Sequence, residues 1–305
     1  MWLPWQWAMW MAVGLLVVST IAHRTSHRST RAVAFETAVV LVLYSMWLRA
    51  GEFDPFGTSG GLERGLKVWR AERWLHLPRE QWLQQGVLAN RIVVEASNLY
   101  YAGVHVPAMG AFLIWMFFRH RADYGRWRTT LALTTGVCLA IRYLPVAPPR
   151  MFPELGFVDT AIRYNQSVYG DLGTGVSGQM AAMPSIHVAW AVIVAVAAMR
   201  AGGSRWRWIA VLHGALTIWV VSSTANHWWL DGVGGAIIVG LAWWVVGRLE
   251  LLVVRIFGKD QVPPVEAVPT AVADEVAGIP ATVFGGMGEQ MAVPAAVDAD
   301  DGGLR

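Results

Sequence analysis

Charge and cysteine are both scarce in this chain of 305 residues. Charged residues make up only 15% of the sequence, whereas a soluble domain carries about 25%. The single cysteine, Cys138, excludes an intrachain disulfide and gives no signal about the redox compartment. The net charge of +3 is too small to indicate nucleic acid as a partner. The class of protein must therefore be inferred from the apolar residues.

Apolar residues make up 55% of the chain and fall into long blocks. A helix of about 20 apolar residues crosses the hydrocarbon core of a bilayer. The 18 tryptophans suit a membrane, because indole rings favour its interface with water. We therefore predict an all-α integral membrane protein. The predicted spans are residues 5–22, 32–50, 97–118, 129–147, 186–200, 208–225 and 231–250.

Basic residues collect in alternate loops between these spans. The positive-inside rule places such loops in the cytoplasm, which puts the N-terminus outside and the C-terminus inside. No basic residue precedes the first apolar block, so we expect an anchor rather than a cleaved signal peptide. We expect a bacterial plasma membrane. The arginines of the basic loops are Arg24, Arg28, Arg31, Arg119, Arg121, Arg126, Arg128, Arg200, Arg205 and Arg207.

The spans and the segments between them predict the domain organisation. Residues 32–258 should form the membrane domain, preceded at 1–31 by an extra N-terminal span and a cytoplasmic loop. The amphipathic pattern at 61–95 predicts one or two helices in the outer interface, and a small soluble unit is the alternative. Proline, alanine, glycine and acids dominate 259–305, which we expect to be a disordered cytoplasmic tail.

Three polar segments stand at boundaries of the apolar blocks. They are residues 142–150, residues 183–187 at the start of the fifth span, and residues 226–231 between the last two spans. The topology inferred from charge brings all three to the outer face, and this convergence is independent of any motif. We therefore predict that the three segments form one site.

The second and third segments hold residue types that suit phosphoryl transfer. A helix N-terminus binds anions, Ser185 adds a hydroxyl donor, and His187 is placed to exchange a proton beside a bound phosphate. His227 and Asp231 are four residues apart and would share one face of a helix. The carboxylate could then hold one imidazole nitrogen and leave the other as a nucleophile or base.

Arginine and aromatic residues supply the rest of the candidate site. Arg142 and Arg150 could neutralise the charge that a phosphate gains during transfer. Asn98, Tyr101 and His105 lie near the outer end of the third span and are candidates for a head-group pocket. The alternative is that these three residues are interface anchors and helix contacts.

Each feature taken alone also has another explanation. An arginine at the end of a span often snorkels, and Asp231 could cap a helix. His187, His227 and Asp231 could instead bind zinc, although the nearby arginines would be repelled by that cation. A transporter or scaffold is the alternative outside enzymes. It would explain buried polar residues, but not the Pro-Ser-Ile-His opening of the fifth span.

Together the three segments resemble the type 2 phosphatidic acid phosphatase superfamily, and in particular its inositol phosphorylceramide synthase-like branch. The resemblance covers about residues 100–240. It rests on Pro-Val-Ala-Pro-Pro-Arg at 145–150, Pro-Ser-Ile-His at 184–187, and Asn-His-Trp-Trp-Leu-Asp at 226–231. The resemblance implies a six-helix membrane bundle with its site at one face, here with one additional N-terminal span.

The resemblance also implies a phosphatase or phosphotransferase that acts on lipid phosphates through a phosphohistidine. By position, His227 would be the nucleophile with Asp231 orienting it, and His187 would protonate the leaving alcohol. Ser185 and Arg150 match phosphate-binding positions. No metal or cofactor is implied. The partners implied are a lipid phosphate and membrane lipids, and no oligomeric state follows.

Three departures separate the chain from the common phosphatase pattern. Ile186 replaces a glycine, and Val221-Ser222 stands where Ser-Arg is usual. Arg142 stands eight residues before Arg150, where a lysine seven residues before is the usual arrangement. The Pro-Pro-Arg form is shared with the inositol phosphorylceramide synthase-like branch. That branch would transfer a phospho-head group to an alcohol, whereas water as acceptor would make the protein a phosphatase.

Overall fold

The structure, a computed structural model, describes residues 3–52, 57–166, 179–203, 205 and 207–257. This part of the chain is mainly helical and contains no β-strand, only one isolated bridge between Val146 and Ala181. The predicted tail at 259–305 lies outside the described residues. The helices are α1 Trp5–Arg24, α2 Arg28–Glu52, α3 Gly61–Trp74, α4 Glu80–Leu88, α5 Arg91–Gly103, α6 His105–Arg119, α7 Arg121–Ile141, α8 Thr160–Arg163, α9 Ile186–Ala201, α10 Arg207–Ser223 and α11 Trp229–Phe257.

Length and composition identify the helices that can cross a membrane. In the described part of the chain, α1, the Arg28–Ala50 part of α2 and the Trp229–Ile256 part of α11 qualify. The pair formed by α5 and α6 qualifies as a fourth, while α9 and α10 are apolar but shorter. The all-α membrane fold class is confirmed. The number of spans stays a prediction.

The predicted span at 97–118 is broken into α5 and α6, which meet at an angle of 51°. Pro107 explains the break, because in a continuous helix its ring would clash with the carbonyl of Gly103, four residues earlier. The chain instead starts a new helix at His105 and accommodates the proline in its first turn.

The helix predicted at 129–147 instead runs from Arg121 to Ile141, and this α7 is not among the described helices that qualify as spans. Prolines at 145, 148 and 149 oppose further helix, because each lacks a backbone donor and restricts the residue before it. Two 3-10 turns follow, Pro149–Met151 and Pro153–Leu155. Arg150 therefore lies on a short turn beyond the end of α7.

The centre of the bundle is α9, which contacts α6, α7, α10 and α11. A helix that is apolar on all sides can be buried in this way. α1 packs against α2, and α2 in turn packs against α7. The buried residues of α9 are Val188, Ala189, Ala191, Ile193, Val194, Ala197 and Ala198.

The segment at 61–95 forms α3, α4 and the start of α5. α3 contacts α11, and α4 contacts α10. Leu66 and Trp69 of α3 pack onto a buried apolar cluster that joins the loops beside α9 and α11. The members of this cluster are Val146, Ala147, Phe152, Phe157, Met180, Ala182, Ala225 and Trp228. α3 and α4 therefore cover the end of the bundle at which α9 and α11 begin. Their place in the membrane interface stays a prediction.

Candidate active site

The first turn of α9 carries the Pro-Ser-Ile-His segment. Ser185 is fully buried and is the N-cap of this helix, where its hydroxyl oxygen accepts the Val188 N–H at 3.3 Å. A serine cap accepts with its oxygen, so its hydroxyl hydrogen can still be donated to a phosphate. His187 follows in the first turn, at the end of the helix where the partial charge is positive.

Asp231 makes two contacts at the start of α11. One of its oxygens, Oδ2, accepts the Trp228 N–H at 2.8 Å, the backward contact of a capping box. The same oxygen lies 3.4 Å from His227 Nδ1, and both side chains are buried. The helix-capping explanation and the histidine-orienting explanation of this aspartate therefore hold together.

A backbone carbonyl fixes the tautomer of His227. Its Nδ1 lies 2.8 Å from the carbonyl oxygen of Ala182 and faces the Asp231 carboxylate as well. Both groups are acceptors, so Nδ1 carries the hydrogen and the neutral ring presents a lone pair at Nε2. Ala182 was not among the predicted site residues, because a role of the backbone carbonyl does not depend on residue type. The arrangement leaves the lone pair of Nε2 available as a nucleophile or a base.

The two candidate catalytic histidines face each other. His187 Nδ1 lies 3.3 Å from His227 Nε2. Since Nε2 is the acceptor, the hydrogen between the two rings belongs to His187. The helices that carry the rings are tied together by the Ser185 N–H, which donates to the Asp231 carbonyl at 2.9 Å. The second and third polar segments thus meet, as predicted.

Arg150 connects the first polar segment to the third. Its Nε donates to Asn226 Oδ1 at 3.0 Å, and its backbone N–H donates to the Ala225 carbonyl at 2.9 Å. Its Nη1 lies 3.7 Å from Asp159 Oδ2 in an ion pair. Arg150 is 5% exposed, so its charge is nearly buried, in contact with Asn226, the residue that precedes His227. Asp159 was not among the predicted site residues.

The predicted head-group residues separate into two sets. The rings of Tyr101 and His105 pack on His187, with centroid distances of 4.6 and 4.7 Å. Asn98 is bonded to α8 and the residues after it, since its Nδ2 donates to Gln166 at 3.0 Å and its Oδ1 accepts from Thr160 at 2.8 Å. Two of the three residues therefore border the histidine site, while Asn98 anchors α8.

Arg142 lies at the C-terminal end of α7, where its backbone N–H donates to the Cys138 carbonyl at 3.0 Å. Its side chain is half-buried. A phosphate-binding role for Arg142 stays a prediction.

A family model described as the PAP2 superfamily matches residues 66–245, more than half of the chain. The chain belongs to the PAP2 superfamily. Membership supports a phosphatase-type enzyme acting on lipid phosphates in general, and the inositol phosphorylceramide synthase-like branch stays a prediction. The PAP2 match includes most of α3 and all of α4, and it begins after α1 and α2. No curated protein and no solved structure matches the chain.

The zinc alternative finds no support in the described part of this PAP2 protein. No group of three His, Cys, Asp or Glu side chains is placed there to hold a metal ion. His187 and His227 instead direct nitrogens toward each other, and His227 Nδ1 is already engaged with Ala182. The site is built to hold histidines in defined tautomers.

Proposed function

We propose that this protein transfers a phosphoryl group from a membrane lipid phosphate through a phosphohistidine at His227. The observation that carries the proposal is the contact of His227 Nδ1 with the Ala182 carbonyl and the Asp231 carboxylate. This contact directs the lone pair of Nε2 toward His187, where the substrate phosphorus must arrive. As positive charge develops on the ring, the carboxylate stabilises it.

The remaining groups divide the other tasks of the reaction. Arg150, the Ser185 hydroxyl and the free N–H groups at the start of α9 bind the phosphate oxygens. His227 Nε2 forms a bond to phosphorus while the bond from phosphorus to the lipid oxygen breaks. His187, protonated on both ring nitrogens, gives one proton to that departing oxygen and is left as the neutral ring. The acceptor then gives its proton to neutral His187 and attacks phosphorus, while the bond between phosphorus and His227 Nε2 breaks and releases His227.

The acceptor decides between two activities. With water, the protein is a lipid phosphate phosphatase. With an alcohol such as inositol, it is a phosphotransferase that passes on a phospho-head group. The Pro148-Pro149-Arg150 sequence favours the second activity, because it has the form found in the inositol phosphorylceramide synthase-like branch.

The charge distribution supports an extracytoplasmic site. Arg126 and Arg200 belong to two different predicted basic loops, and in the structure they lie near the start of α7 and at the end of α9. Both guanidinium groups stack on Trp243, at 3.8 and 5.0 Å from its ring centroid. Trp243 is the middle residue of α11, about 20 Å along the helix axis from the first turn, where the site lies. The basic loops therefore gather away from the site, and the positive-inside rule makes their side cytoplasmic.

Thiol labelling in whole cells tests this orientation. In a Cys138→Ala background, a membrane-impermeant maleimide should label Glu154→Cys, which is exposed at the site end, but not Arg24→Cys. Labelling of Arg24→Cys alone would reverse the orientation.

Phosphate release by the purified protein in detergent tests the activity. A panel of lipid phosphates, including phosphatidate and isoprenoid phosphates, is offered with a chelator present. Wild type and His120→Ala, a control histidine that lies between α6 and α7, should release phosphate. His227→Ala should not, although it should insert and purify normally.

Each outcome of this assay has a defined meaning. Turnover by His227→Ala at the wild-type rate would contradict the phosphohistidine. Loss of all activity with chelator would return zinc to consideration. If wild type releases no phosphate, labelled lipid with alcohol acceptors tests head-group transfer. Failure of that transfer too would favour a transporter or scaffold.

A further inference from the structure

Two glutamates that the proposed mechanism does not use are buried beside the site. Glu72 of α3 and Glu80 of α4 are both 0% exposed. Carboxyl groups are rarely buried without compensation, because removing their charge from water is costly. Both lie within the residues matched by the PAP2 model.

The compensation comes from the first turn of α11. Glu72 Oε1 accepts the Leu230 N–H at 2.9 Å, and Glu80 Oε1 accepts the Trp229 N–H at 3.3 Å. The preceding N–H, that of Trp228, is taken by Asp231. Three successive backbone donors at the positive end of the helix are therefore each held by a different carboxyl group.

The charges around this pair do not balance if both glutamates are ionised. Arg73 is the cation in contact with them, with its Nη2 3.9 Å from Glu72 Oε2 and 3.7 Å from Glu80 Oε2. Asp231 adds a further carboxylate nearby. Burial, together with a hydrogen bond to Glu80, raises the pKa of Glu72 to about 9. At neutral pH the pair therefore holds one proton, with Glu72 donating to Glu80.

We propose that Glu72 and Glu80 are positioning residues for the histidine site, and that by sharing one proton they fix the first turn of α11 and hold His227 and Asp231 against α9. The pair touches no reacting atom and acts through the backbone of residues 229 and 230. This inference rests on the proposed function, because it assigns the pair to the same site.

The proposal predicts an alkaline limit on activity. When the shared proton leaves, two buried carboxylates and Asp231 repel one another, and among the described residues Arg73 is the cation in contact with the pair. The first turn of α11 is then held less firmly, and His227 Nδ1 moves out of hydrogen-bond distance of the Ala182 carbonyl oxygen. Glutamine at position 72 can accept the Leu230 N–H and donate to Glu80 as the neutral acid does, but it has no proton to lose.

The experiment compares kcat and KM from about pH 6 to pH 10 for wild type and three variants. Glu72→Gln should stay within about threefold of wild type near neutral pH. It should lose the part of the alkaline decline that falls near pH 9, where Glu72 titrates. Glu72→Ala should lose at least about tenfold in kcat with little change in KM. The matched control is Glu63→Gln, an exposed glutamate of the same helix, which should follow wild type throughout.

A second readout does not depend on activity. The pKa of Glu72 is raised in the folded protein, so protonation of Glu72 stabilises the fold. This stabilisation is fully present below about pH 4.5, the usual pKa of glutamate, and is lost as the pH rises through about 9. The apparent Tm of wild type should fall across this window, whereas that of Glu72→Gln should fall less. Parallel Tm curves, or the same alkaline limb of kcat in both proteins, would overturn the proposal. If no substrate is turned over at all, the proposed function fails while the Tm comparison still decides whether the pair shares a proton.

Discussion

His187 Nδ1 and His227 Nε2 are in contact at 3.3 Å, so the two proposed reacting rings touch in the resting structure. A phosphorus atom cannot enter between nitrogens at hydrogen-bond distance, and substrate binding must separate them. The hydrogen on His187 Nδ1 is then released from its contact with His227. Tyr101 and His105 pack on the His187 ring and limit the directions in which it can turn.

Replacing His187 by alanine should therefore have an effect that depends on the leaving group. With an alkyl lipid phosphate, His187→Ala should lose about 10²- to 10⁴-fold in kcat, because the departing alkoxide needs a proton. With an aryl phosphate such as p-nitrophenyl phosphate, the leaving group departs without one and the loss should be much smaller. The ratio of the two losses is the measurement. Equal losses on both substrates would remove the acid role from His187.

Replacing Asp231 by asparagine and by alanine should separate its contribution to helix capping from its contribution to catalysis. Asp231→Asn can still accept the Trp228 N–H but lacks the charge that stabilises an imidazolium, so kcat should fall by about 10²-fold with Tm near wild type. The Ala182 carbonyl still fixes the tautomer of His227 in this variant, which limits the loss of kcat. Asp231→Ala also loses the cap, which costs about 0.5–2 kcal/mol of stability. A normal kcat in Asp231→Asn would reduce the residue to a cap.

The sequence could predict site residues only where their type, their spacing or the predicted side of the membrane identifies them. Charge in the loops brought His187, His227 and Arg150 to one face without any structural knowledge, and spacing paired His227 with Asp231. The break between α5 and α6 was not predicted, although Pro107 stands in the interior of the predicted span and opposes a continuous helix there.

Other parts of the site leave no mark that a sequence pattern can show. The Ala182 carbonyl is a backbone group. Glu72 and Glu80 fit the polar face of an amphipathic helix, and periodicity does not reveal that the start of α11 covers that face. Asp159 stands nine residues after Arg150, and the two 3-10 turns in this stretch have no regular spacing that would predict the ion pair.

Arg150 should not tolerate lysine. Its guanidinium reaches Asn226 through Nε and Asp159 through Nη1, and a single ammonium group cannot reproduce that geometry. Arg150→Lys should lower kcat/KM by about tenfold or more. Arg163→Lys, at an exposed arginine of the neighbouring α8, is the matched control and should remain at the wild-type value. If both variants retain full kcat/KM, Arg150 does not bind the substrate phosphate.

Gly235 should be required for the close contact of α9 with α11. A Cβ at this position would stand 2.5 Å from the Ser185 carbonyl oxygen, and backbone cannot move aside as a flexible side chain can. Gly235→Ala should therefore cost about 1–3 kcal/mol of stability. It should also lower kcat, because it pushes His187 away from His227. Gly240→Ala on the same helix meets nothing within 4 Å and should be neutral or stabilising by up to about 1 kcal/mol. Tm and kcat measured on both variants check this, and an equal response would show that the α9–α11 contact is not tight in the membrane.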